Sequence, residues 1–220
     1  MTSNFPAVFL GQNIELIYAD NALLIVNKPS GLLSVPGRGE AKQDCLIKRV
    51  QTNYSDALIV HRLDCDTSGL IVLARGKEMQ RNLSILFQNR QVEKRYIAVV
   101  DGQLAQDSGE INLPLTVDWP NRPLHKVDFE TGKPSLTLYR VLSYIAASLC
   151  SRLELIPETG RTHQLRVHMQ ALGHPILGDS LYAGALIRAK AERLLLHAEY
   201  LSFTHPESGK PLEFLSAPSF

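Results

Sequence analysis

Cysteine is scarce in this chain. Only Cys45, Cys65 and Cys150 occur among 220 residues, with no C-x-x-C pair and no Cys/His cluster. Neither a disulfide framework nor a zinc-binding pattern is encoded, and the odd, widely spaced thiols fit a reducing cytoplasm. Long apolar runs are missing too: none approaches the roughly 20 residues of a membrane span. The segment after Met1 lacks the basic-then-apolar shape of a signal peptide, so the chain reads as cytoplasmic and uncleaved. Charge of one sign is also lacking, since 23 Lys and Arg face 22 Asp and Glu. That balance excludes a uniformly basic coat, and a nucleic-acid partner must be met by a local patch. No repeat, low-complexity tract or linker interrupts the chain. What is abundant is apolar residues, 45% of the total, enough to bury a core in one large domain or two small ones.

Taken in order, residues 1–15 show no period and are expected along the surface. Leu23-Leu24-Ile25-Val26 reads as a strand, ended by a turn at Lys28-Pro29-Ser30-Gly31 that leaves Asn27 and Lys28 at the strand end. Asp44 is placed to cap a helix running to about Thr52, with Leu46, Ile47 and Val50 on one face. A strand over Leu70 to Ala74 feeds a helix from Lys77 to Phe87, whose Met79, Leu83, Leu86 and Phe87 form a core stripe. Between Arg75 and Arg95 six cations (Arg75, Lys77, Arg81, Arg90, Lys94, Arg95) face two acids (Glu78, Glu93), a plausible phosphate-facing patch and equally a solvated face.

Tyr96 opens a strand that runs to Val100, and 101–133 is irregular. Ser135 to Leu142 and Ser151 to Ile156 alternate, which predicts an antiparallel pair. Leu165, Met169 and Leu172 predict a helix with Arg166 and Gln170 on another face, closed by Gly173. Leu194 to Phe203 and Leu212 to Leu215 flank the hairpin turn His205-Pro206-Glu207-Ser208-Gly209. Strands outnumber helices and pair locally. The expected fold is therefore α+β, one domain over 1–220 on a largely antiparallel mixed sheet.

The stretch around which the rest is organised is His61-Arg62-Leu63-Asp64-Cys65-Asp66-Thr67-Ser68-Gly69, followed by an apolar strand. It sets one carboxylate between a basic pair and a Thr-Ser-Gly turn. Together with Asn27-Lys28-Pro29-Ser30-Gly31, Lys94-Arg95-Tyr96 and Gly160-Arg161-Thr162-His163-Gln164-Leu165-Arg166-Val167-His168, in that order, it resembles the RluA family of pseudouridine synthases. The resemblance implies the pseudouridine synthase fold and isomerisation of uridine in structured RNA. It implies that Asp64 is the catalytic carboxylate, that Tyr96 packs on the target base and that Arg166 pairs with Asp64. Arg62 is then the residue that replaces the extruded uridine in the stack. Asn27, Lys28, Arg161 and His163, which lie in the matching blocks, are expected at the RNA. The Trp119 to Pro123 insert and the lack of an extra N-terminal RNA-binding domain resemble family members acting on both 23S ribosomal RNA and transfer RNA. Stem-loops of those RNAs are the expected partners, met by a monomer, with Trp119 and Arg122 as further contacts.

The chemistry agrees with this residue set. Moving a uracil from an N1–C1′ to a C5–C1′ bond is redox-neutral, so no metal or cofactor is required. One ionised carboxylate can attack the sugar or the base, or remove the 2′ proton, and a neighbouring guanidinium keeps it ionised in a dry pocket. A buried uridine must first be flipped out, at a cost of about a few kcal/mol that an inserted side chain offsets. His61, His163 and His168 fit structural hydrogen bonding better than metal or acid–base work. Two rivals remain. Asp66-Thr67-Ser68-Gly69 has the outline of an aspartic-protease turn, but it occurs once and carries Ser where Gly is needed. An RNA-binding module without chemistry is the other.

Overall fold

The computed structural model describes residues 8–10 and 14–220. Val8–Leu10 forms strand β1 and Ile14–Ala19 forms β2, with Ile14 fully buried. That part of the N-terminal stretch is therefore sheet and not surface coil; the rest of 1–15, including the signal-peptide reading, lies outside the described residues. The chain divides into two compact units, residues 1–93 with 198–217, and residues 94–197 with 218–220.

In the first unit β3 (Leu23–Lys28) extends the predicted strand to Lys28. Helix α1 covers Leu46–Gln51, with Cys45 at its N-cap and no side-chain cap. Asp44, expected to cap it, instead receives Arg49 Nε at 2.8 Å on the surface. Strand β4 (Ala57–Ile59) precedes β5 (Ser68–Arg75), and α2 (Lys77–Gln88) follows. β5 is buried from Ser68 to Ala74 without alternation, as expected where both faces of a strand are covered. Met79 and Leu83 of α2 pack with Ile25, Leu70, Val72 and Phe203. Leu83→Ala would cost about 2–5 kcal/mol.

The second unit begins with β6 (Glu93–Asp101), three residues earlier than Tyr96. Tyr96 therefore sits inside the strand, because Glu93 to Arg95 are already extended despite their charge. Residues 101–133 are not wholly irregular: β7 (Ser108–Asn112), β8 (Leu115–Val117) and β9 (His125–Val127) lie there, the last two pairing with each other. β10 (Leu136–Ile145) and β11 (Cys150–Pro157) form the predicted antiparallel pair. The strand order here is β6-β11-β10-β7. Helix α3 (Gln164–Ala171) closes near Gly173 at φ 89°, and α4 is the single turn Ala185–Arg188. The core of this unit is Ala98, Val100, Leu153, Leu155, Leu165 and Met169 with their neighbours.

Strand β12 (Leu196–Thr204) carries the chain back to the first unit, where β13 (Pro211–Leu215) pairs with it as the predicted hairpin. The order there is β1-β2-β3-β5-β12, with β4 also on β5. Gly69 sits at φ 117°, and a Cβ on it would overlap the backbone of Ala198. Only glycine allows that approach, which brings the start of β5, just after the Asp64 loop, against the Ala198 backbone. The fold is α+β and mostly antiparallel, as the strand count predicted. Among the described residues no helix is long and apolar enough to cross a membrane.

Candidate active site

Asp64 lies half-buried in the loop between β4 and β5. The residues around it are held by donors and acceptors from the turn after β3. Ser34 Oγ donates to the Leu63 carbonyl at 2.6 Å and accepts from the Leu63 N–H at 3.1 Å. On the other side, the Cys65 carbonyl accepts from the Gly31 N–H at 3.0 Å and from Lys28 Nζ at 2.8 Å. Ser30 Oγ donates to the Asp66 carbonyl at 2.7 Å.

This corrects the expectation for Lys28. Its ammonium is 0% exposed and also donates to the carbonyls of Pro29 (2.9 Å) and Leu32 (2.7 Å), so its three N–H groups serve the loop and not an RNA phosphate. A buried cation needs that many acceptors to offset its lost hydration. Asn27 is half-buried, and its Nδ2 donates to Glu15 Oε2 at 3.1 Å and Ser216 Oγ at 3.0 Å. His61 Nε2 accepts the Val72 N–H and its ring stacks on Phe87 at 4.4 Å, the structural role expected of it. Arg62, two residues before Asp64, is exposed and makes no ion pair among the described residues. Burial pushes the Cys65 thiol upward, and Asp66 and Asp64 push the same way while Lys28 opposes them, which disfavours a nucleophilic thiolate beside Asp64.

In the second unit Tyr96 is half-buried against the core of that unit, opposite Leu155 in the β6–β11 ladder. Its neighbour Arg95 reaches Glu154 at 3.6 Å, and in the first unit Arg75 pairs with Asp56 at 3.1 Å. The basic cluster read from sequence thus has members with internal partners, while Lys77, Arg81 and Arg90 are exposed.

Helix α3 starts from His163, which adopts the left-handed conformation (φ 57°). The helix carries Arg166 inward. The expectation that Arg166 shares a polar face with Gln170 fails: Gln170 is exposed, but Arg166 is 2% exposed and bonds the fully buried Asp179 through two nitrogens. His163 Nδ1 bonds Tyr182 Oη at 2.7 Å, and the Arg166 guanidinium carbon lies 5.1 Å from the centre of the Tyr182 ring. His163 and Arg166 are therefore brought together through Tyr182. His168, also buried, bonds Thr137 Oγ1 and the Leu113 carbonyl. Burial lowers its pKa, partly opposed by the Leu113 bond, which suits a neutral ring.

Trp119 is 65% exposed on the β8–β9 loop, and the Arg122 guanidinium stacks on it at 4.2 Å. Such a pair offers a flat, cationic platform to a base. Arg161 is exposed; its Nε donates to the Pro134 carbonyl at 3.4 Å and its backbone N–H to Gln164 Oε1 at 3.0 Å. Sequence reading missed Ser34, Asp179 and Tyr182. The signal for the last two was an Asp and a Tyr three residues apart in the run Ile176-Leu177-Gly178-Asp179-Ser180-Leu181-Tyr182. Among the described residues no cluster of His, Cys, Asp and Glu could hold a metal.

The family description "RNA pseudouridylate synthase" matches residues 22–171. The chain is 52% identical to the dual-specificity RNA pseudouridine synthase RluA of Escherichia coli K12 over 207 residues, 94% of each chain. It is also 52% identical to the protein of the same name from Yersinia pestis over 205 residues, covering 93% of this chain and 99% of that one. This chain belongs to the RNA pseudouridylate synthase family. As a pseudouridine synthase it is an isomerase of uridine, and its fold is that of the family. The solved structure of human RNA Pseudouridylate Synthase Domain Containing 1 superposes with a TM-score of 0.79 at 30% identity, over 94% of this chain and 84% of that one. The synthase match takes in Lys28, Asp64, Tyr96 and Arg166, and ends before Asp179 and Tyr182.

Proposed function

We propose that this synthase isomerises particular uridines in stem-loops of both 23S ribosomal RNA and transfer RNA, in the cytoplasm and as a monomer, with both units acting as one catalytic domain. The observation that carries the chemistry is Asp64, a carboxylate whose flanking residues are tied by hydrogen bonds on both sides. The dual substrate follows from the likeness over 94% of the chain to relatives named as dual-specificity enzymes.

In this reading the target uridine leaves the RNA stack and Arg62 occupies the space, its exposure and lack of an ion pair leaving it available. Tyr96 packs on the extruded uracil. Asp64, with Arg166 as its partner in the family pattern, engages the nucleoside as the N1–C1′ bond breaks; the sugar carries oxocarbenium character, and the turned uracil rejoins through C5. In the last step C5 loses its proton and N1, released from the sugar, ends protonated, so the product is an isomer and no oxidant, metal or added nucleophile is consumed. Trp119, Arg122, Arg161 and the His163 region contact the RNA around the flipped base.

The test is release of tritium from uracil C5 in labelled transfer RNA and protein-free 23S ribosomal RNA, with Asp64→Asn as the control. Release from both by the wild type alone is expected. Release from one RNA only would remove the dual specificity, and binding without release from either would leave an RNA-binding module.

A further inference from the structure

We propose that Asp179 is a positioning residue for the isomerisation, fixing the Arg166 guanidinium in the orientation from which it acts; the inference rests on the role given to Arg166 above. The pair is expensive to keep. Arg166 and Asp179 are 2% and 0% exposed, and an apolar pair of similar volume would pack the same space without the desolvation cost of two charges. That cost points to a use beyond stability.

Its geometry supplies one. Asp179 Oδ2 accepts from Arg166 Nε at 2.8 Å and Oδ1 from Nη2 at 2.6 Å. Oδ1 also accepts the N–H groups of Leu181 (2.8 Å) and Tyr182 (3.0 Å), so the backbone of its own turn prevents the carboxylate from rotating. Because the bidentate contact takes the Nε–Nη2 edge, the guanidinium plane is fixed and its other edge, Nη1 with the second Nη2 hydrogen, is directed away from Asp179. Tyr182 covers the guanidinium, and its hydroxyl is itself fixed by His163 Nδ1 at 2.7 Å and by the His125 N–H at 2.9 Å. The turn that carries Asp179 depends on Gly178 at φ 73°, where a Cβ would overlap the Arg193 carbonyl. Every degree of freedom of the Arg166 head group is thus restrained from residues 178–182, beyond the segment matched to the synthase family.

The test compares wild type, Asp64→Asn, Asp179→Asn, Asp179→Glu, Arg166→Lys and the Arg166→Lys/Asp179→Asn double variant. It reads single-turnover tritium release at saturating enzyme beside RNA Kd by filter binding. Asp179→Asn should slow release about 30-fold or more with Kd within about threefold, as expected when a charged hydrogen bond that orients a reacting group is lost. The double variant should be no slower than Arg166→Lys alone, since both changes remove one function. Asp179→Glu keeps the buried charge balanced but cannot meet Nε, Nη2 and both N–H groups together. It should fold with a Tm near wild type and still be slow, which decides the matter if Asp179→Asn does not fold. Either folded variant turning over within about threefold of wild type would overturn the proposal, as would a loss confined to Kd or additive losses in the double variant. A wild type that releases no tritium, level with Asp64→Asn, would overturn the uridine reading and this proposal together. Normal wild-type turnover beside an unaffected Asp179→Asn would overturn this proposal alone.

Discussion

The ammonium of Lys28 donates to the carbonyl of Cys65 at 2.8 Å, one residue beyond Asp64, and completes its set of bonds with Pro29 and Leu32. Lys28→Met keeps the aliphatic stem but takes the ammonium from the Pro29 and Leu32 carbonyls and leaves the Cys65 carbonyl with the Gly31 N–H. It should lower stability by roughly 2–5 kcal/mol and reduce turnover through a loosened Asp64 loop. Urea denaturation with tritium release on the same sample checks both. A variant with wild-type stability would mean that water replaces the ammonium.

Arg62 and Trp119 should separate binding from chemistry. Arg62→Ala and Trp119→Ala are each expected to raise RNA Kd, the latter by about 1–3 kcal/mol if a base stacks on the indole. Arg122→Ala should also reduce the slope of log Kd against log salt by about one if it neutralises a phosphate. Filter binding across a salt series measures all three. An unchanged Kd for Trp119→Ala would reduce the Trp119–Arg122 stack to loop packing.

Stability should fall in acid through His168. Its neutral ring is satisfied when Nδ1 accepts from Thr137 Oγ1–H, which in turn accepts from Gln164 Nε2, and Nε2–H donates to Leu113. The folded pKa is lowered from 6.5, first by burial. The unfolded chain therefore binds this proton more readily than the native one, so stability is full above about pH 6.5 and declines below it, until the native ring also protonates. Between pH 7.5 and 5.5 wild type should lose up to about 1 kcal/mol more than His168→Gln. Equal slopes for the two proteins in urea titrations at each pH would refute this.

Gly69→Ala should be among the most damaging single changes in the first unit. The added methyl meets Ala198 backbone at a positive φ, and relief requires β5 or β12 to shift, costing more than about 3 kcal/mol. A soluble Gly69→Ala protein with a near-normal Tm would show that the sheet yields more easily than its packing implies.

Much of the fold could be read from the sequence where a period is long enough to show. Helix α2, the β10–β11 pair and the closing hairpin all carry eight or more patterned residues, or a turn with Pro and Gly at its centre. The strands inside 101–133 are three to five residues long, too short for alternation to stand out from noise. The Asp64 loop stood out because its surrounding motif is long. The burial of Arg166 did not, since spacing with Gln170 puts both on the polar side of a wheel. Its counter-ion lies 13 residues further on, past the helix-ending Gly173. Lys28 misled for the same reason: a lysine at a strand end reads as solvent-facing unless its three carbonyl acceptors are known.

The first unit is interrupted in sequence by the second: β1 to α2 are made first, and the β12–β13 hairpin that completes their sheet follows about a hundred residues later. On a ribosome moving at roughly 5–20 residues per second, the apolar edge of β5 would wait on the order of 5–20 seconds for β12. Residues 94–197, all but the last three of the second unit, are already out by then. The Asp64 loop precedes β5 directly and is tied to residues 28–34, so its anchors are in place well before β12 is made. A nascent chain therefore has the Asp64 loop tied to the β3 side of the sheet while the β12 side of β5 is still bare.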